Sequence, residues 1–61
     1  MIFTAAEKQE CAEREVKMRK RVYARWIAAG SMDPTKAATE IAMMESIAAD
    51  YAKLAEGERL I

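Results

Sequence analysis

The stretch Ala28-Ala29-Gly30-Ser31-Met32-Asp33-Pro34-Thr35 decides the fold. Gly30 stands where a helix arriving from the N-terminal side needs a residue that can turn left-handed, a common way for helices to end. Asp33 can then accept from the free amides of a new helix, and Pro34 lacks the amide that the first turn would orphan. So short a linker, Gly30 to Asp33, forces the second helix back beside the first, antiparallel to it.

Working outward, Thr4-Ala5-Ala6-Glu7 matches the capping box, in which threonine and glutamate satisfy each other's exposed backbone donors. From Ala5 to Ala29 no glycine or proline interrupts the chain, so the first helix is expected over residues 5–29. The second is expected over residues 34–56, with Gly57 as its stop and Glu58 to Ile61 as a tail that frays or prolongs it. The reading is all-α, one domain over residues 1–61, an antiparallel two-helix hairpin.

At 100° per residue, Ala5, Ala12, Val16, Tyr23, Trp26 and Ile27 fall on one face of the first helix. Cys11, Met18, Val22 and Ala29 widen that face sideways, and Glu7, Glu10, Glu13, Arg14, Lys17, Lys20, Arg21 and Arg25 lie opposite. On the second helix Ala37, Ile41, Met44, Ala48, Tyr51 and Ala55 keep the alternating four-and-three spacing of a coiled-coil seam. Ile47 and Leu54 add a neighbouring row, while Met43 falls on the outer side with Ala42, Ala49 and Lys53. Both apolar arcs cover about half the circumference, wider than one helix contact uses. A dimeric four-helix bundle would cover both, with an oligomer seam of Val16, Trp26, Ile41, Met44, Ile47, Tyr51 and Leu54.

Composition points the same way. Hydrophobic residues make up 52% of the 61, but 13 of them are alanines that add little buried area each. A lone chain of this size hides only about 60% of its unfolded surface, and self-association is a common remedy. The other remedies are missing: Cys11 is the only cysteine and there is no histidine, so neither an internal disulfide nor a metal staple is expected. No cofactor is expected either. Without histidine, a glycine-rich phosphate loop or a second ligand cluster, nothing assembles a catalytic constellation, and the chain reads as a non-enzyme.

Met1-Ile2-Phe3-Thr4 has neither a basic region nor an apolar one, so no secretory signal is expected and the cytoplasm is the expected compartment. The longest uncharged run, Trp26 to Met32, is far short of the roughly 20 apolar residues of a membrane span.

Ten basic and ten acidic residues cancel overall but not locally. Residues 1–13 carry three glutamates and one lysine, and residues 14–25 carry six bases against Glu15 alone. Glu10 with Arg14, Glu13 with Lys17 and Glu15 with Arg19 have the helical spacing for ion pairs. Arg14, Lys17, Arg21 and Arg25 form a ridge, read either as a solvated helix face or as a site for an anionic partner. Nucleic acid is the less favoured partner, because Tyr23 and Trp26 point to the apolar side and the second helix is acidic and rich in alanine. Arg19 and Glu40 interrupt the apolar faces near the turn. They suit an ion pair with Tyr23 or Trp26 stacked on the guanidinium, or, with Tyr23, a polar pocket between helices or subunits.

The run Arg21-Val22-Tyr23, Trp26-Ile27, Gly30, Met32, Glu40-Ile41, Met44, Ile47 and Asp50-Tyr51 resembles short open reading frames of bacteriophages and prophages, generally described as hypothetical proteins. The resemblance covers residues 14–54 and implies a viral protein acting in a host cytoplasm, with no activity attached. Proteins of that kind often bind host machinery stoichiometrically, inhibitors of host defence among them. Three non-catalytic functions follow as expectations: an interaction protein for a host or phage macromolecule, an oligomeric sponge for an anionic signalling nucleotide, and a nucleic-acid accessory protein.

Overall fold

Thr4 opens the first helix as the capping box requires: the Glu7 amide donates to Thr4 Oγ1 at 3.1 Å, and the Thr4 amide donates to Glu7 Oε1 at 3.0 Å. The computed structural model describes residues 2–60. Helix α1 spans Ala5–Ala28 and α2 spans Pro34–Arg59, and the two pack along each other as a hairpin. Among the described residues there is no strand.

The turn between them closes as a Schellman motif. Ser31 N–H donates to the Trp26 carbonyl at 2.9 Å and Gly30 N–H to the Ile27 carbonyl at 3.0 Å, with Gly30 at φ 77°. Ala29 falls outside the helix as its C-cap, one residue earlier than the expected end. Asp33 then caps α2, its carboxylate accepting from the Lys36 amide at 2.9 Å.

At the far end of α2 the expected stop at Gly57 is not taken, and the residues after it prolong the helix to Arg59. No positive φ is needed there, since among the described residues Gly30 alone has one. A tertiary contact holds the extra turn: the Glu58 carboxylate accepts from the Ala5 amide, with its two oxygens at 2.9 and 3.3 Å. One of the unpaired amides that begin α1 is thereby satisfied by a negative group at the positive end of the helix dipole. Ile61, the last residue of the expected tail, lies outside the described residues.

Where the helices touch, the side chains are small. Among the described residues Ala5, Ala12 and Val16 of α1 and Ala37, Ala48 and Ala55 of α2 are the buried ones, and no large side chain is fully enclosed. Alanines at the seam let the backbones approach closely, which is why the hairpin is a narrow rod of 48 × 19 × 16 Å. Neither helix is long and apolar enough to cross a membrane.

Candidate interaction surfaces

Close packing on alanine pushes the large apolar side chains to the flanks. At 100° per residue Cys11, Met18, Val22 and Trp26 lie on one flank of α1, and Met44, Ile47, Tyr51 and Leu54 on the corresponding flank of α2. These flanks form one side of the hairpin, because Cys11 and Ala12 share an open groove with Met44, Ile47 and Tyr51. Of the expected seam, Val16 is buried and Ile41, Met44 and Tyr51 are half-buried. Trp26, Ile47 and Leu54 stand 46%, 38% and 58% exposed; Met43, expected on the outer side with Ala42, Ala49 and Lys53, lies instead at the angle next to Ile47 and Leu54 and is 54% exposed, while Ala49 belongs to the opposite side. The opposite side is different in kind, an open trough of about 550 Å³ floored by Val16, Ala48, Ala49 and Ala52 with charged residues along it.

Arg19 and Glu40 do meet, within a larger network. The Arg19 Nε donates to Glu15 Oε1 at 2.9 Å, and one terminal nitrogen donates to the Glu40 backbone carbonyl at 2.9 Å while lying 3.8 Å from its carboxylate. The guanidinium thus ties α1 to α2, and the Glu15 hydrogen bond, the largest influence on it, raises its pKa further. Neither ring stacks on it. Tyr23 and Trp26 stack on each other instead, centroids 5.7 Å apart and planes at 26°, and the cation over an aromatic ring is Lys8, 5.4 Å from the Tyr51 centroid. Trp26, Tyr23, Arg19, Val22 and Met18 line one shallow depression.

The basic ridge divides into paired and unpaired members. Arg14 lies 3.6 Å from Glu10, both side chains exposed. Glu13 accepts from Gln9 at 3.1 Å rather than pairing with Lys17. Lys20 reaches across to Glu45 at 3.3 Å, a pairing that only the antiparallel register discloses. Lys17, Arg21 and Arg25 are exposed and have no ion-pair partner among the described residues. Lys17 borders the trough shared with Ala48, Ala49 and Ala52 of α2, whereas Arg21 and Arg25 lie on the side of α1 turned away from α2.

Beyond these contacts, the Thr4 amide and hydroxyl hold the Glu7 carboxyl below its ordinary pKa. The Glu58 to Ala5 bond has no local signal, since its partners lie at opposite ends of the chain. Among the described residues no group of three or more acidic, cysteine or histidine side chains could hold a metal ion. No protein-family model, no curated protein and no solved structure matches this chain.

Proposed function

We propose that this chain is a non-catalytic interaction protein: a helical hairpin that pairs with a second copy as a four-helix bundle and binds a host or phage macromolecule through the faces the bundle leaves open. The observation that carries this reading is the mismatch between what is buried and what is apolar. The buried set is five alanines and Val16, whereas Met18, Trp26, Met43, Ile47 and Leu54 remain in water. Covering apolar area gains about 25 cal/mol per Å², and clustered apolar side chains of this extent are characteristic of interaction sites. Viral origin, inhibition of host defence and action in the cytoplasm belong to this proposal on the strength of the resemblance.

A second reading is favoured by Lys17, Arg21 and Arg25, which make no ion pair among the described residues. That ridge suits an anion, either nucleic acid or a signalling nucleotide sequestered by the oligomer with Arg14, Arg19, Tyr23 and Glu40 contributing. Sedimentation equilibrium tests the first reading, which expects a dimer at micromolar concentration and is overturned by a folded 6.9 kDa monomer. Mass spectrometry and the ratio of absorbance at 260 and 280 nm of freshly purified protein separate the two. A clean protein supports the interaction reading, and a co-purifying nucleotide or nucleic acid the anion reading.

A further inference from the structure

The outer side of α1 changes sign along its length. Glu7 and Glu10 stand in its first two turns, Arg14 follows before its middle and is paired with Glu10, and Lys17, Arg21 and Arg25 occupy its C-terminal half, all exposed. At 100° per residue Glu7 and Arg25 lie at the same angle, about five turns apart, beside Met18 and Cys11 at the edge of the apolar side. A surface acidic at one end and basic at the other complements itself when turned end for end. A two-fold axis performs that turn.

Resting on the reading that a second copy covers the apolar side, we infer that it docks with its α1 antiparallel on this α1, about a two-fold axis level with Val16, so that Glu7 of each copy faces Arg25 of the other.

The other helix supports the same axis independently. The cross-helix pairs Arg19 with Glu40 and Lys20 with Glu45 set the register of the hairpin, and Val16 shares a trough with Glu45 and Ala48. An axis level with Val16 therefore crosses α2 near Glu45. It brings Met43 of each copy against Ile47 of the other, two exposed apolar side chains on the same flank. Charge on α1 and apolar surface on α2 thus select one geometry. The alternative, α1 over α2 of the second copy, sets Arg25 level with Lys36 at the turn end, cation against cation, and separates the charged halves. A rod 48 Å long and 19 Å across presents on one long side an area of the order of the roughly 800 Å² per partner in a standard interface.

Two charge variants test the orientation. Arg25→Glu alone opposes Glu7 with a glutamate across the axis, and Glu7→Arg alone opposes Arg25 with an arginine. Each should weaken its own dimer by roughly tenfold, while an equal mixture forms a heterodimer in which both contacts are attractive and which is clearly tighter than either homodimer. A mixture no tighter than either variant overturns the inference.

A crosslink gives a second measurement that does not depend on those charges. An axis level with Val16 places Cys11 within one residue, about 1.5 Å along the helix, of Val22 of the other copy, both on the apolar flank. Val22→Cys treated with diamide, which oxidises two thiols to one disulfide, should give a covalent dimer with two reciprocal bonds and no free thiol. The same two cysteines within one helix lie about 16 Å apart and cannot join. A dimeric Val22→Cys that keeps its thiols free overturns the orientation and leaves the dimer standing. A wild type that is monomeric at all concentrations removes the dimer and the orientation together.

Discussion

At Gly30 the backbone takes φ 77°, a value that strains any residue with a Cβ, while the space around the position is open. Gly30→Ala should therefore cost about 1 kcal/mol through backbone strain alone, with no clash to relieve. Gly57 also has nothing within 4 Å of an added Cβ, but it sits inside a helix with an ordinary φ. Gly57→Ala should stabilise the hairpin by about 0.5 kcal/mol, less than a mid-helix change because the last turn frays. Urea midpoints of the two variants, compared with wild type at one protein concentration, should move in opposite directions. Equal shifts would mean that Gly57 ends the helix in solution after all.

The two helices depend on their ends as much as on their faces. Thr4 and Glu7 close the start of α1, and the Thr4 hydrogen bonds hold the Glu7 carboxyl below its ordinary pKa of 4.5. A carboxyl lowered on folding adds stability that is fully present above the unfolded value and is lost as pH falls through the folded one. Amide exchange in the first turn of α1 should accordingly quicken as pH drops below 4.5, after correction for intrinsic rates. Glu7→Gln, which keeps the box but cannot ionise, should flatten that dependence. Glu58 acts on the same end from the opposite helix, and Glu58→Ala should free the Ala5 amide and fray both termini together, at a cost of about 1 kcal/mol. Hydrogen exchange at Ala5 and at residues 56–59 reads this directly, and protection unchanged at both would refute the link. The ends also mark how far the hairpin could be read from its residues. The cap at Thr4, the turn at Gly30 and the start at Pro34 follow from local chemistry and were legible. The extension past Gly57 was legible only as one of two outcomes, because what decides between them is a contact between the chain's two ends. Lys20 with Glu45, and the stacking of Tyr23 on Trp26 instead of on Arg19, likewise depend on register and on side-chain angles that spacing alone leaves open.

For the whole molecule, stability and association are one problem. A hairpin whose seam is alanine and a single valine buries little apolar area per residue, and a chain this short has small reserves against its own conformational entropy. If a second copy supplies the missing contacts, folding becomes concentration-dependent by mass action. The thermal midpoint followed by circular dichroism should then rise steadily over roughly a hundredfold range of protein concentration. Ile47→Asp isolates the cause. In the single hairpin Ile47 is 38% exposed, so a carboxylate there keeps its water and costs little. Between two copies the same carboxylate would be stripped of water without a partner, at several kcal/mol, comparable with the total stability of a small domain. Ile47→Asp should accordingly dissociate and lose its helix in a single event, at a midpoint well below wild type and independent of concentration. If the variant melts like wild type, and the wild-type midpoint ignores concentration, the hairpin stands alone and its apolar side is open for a different molecule.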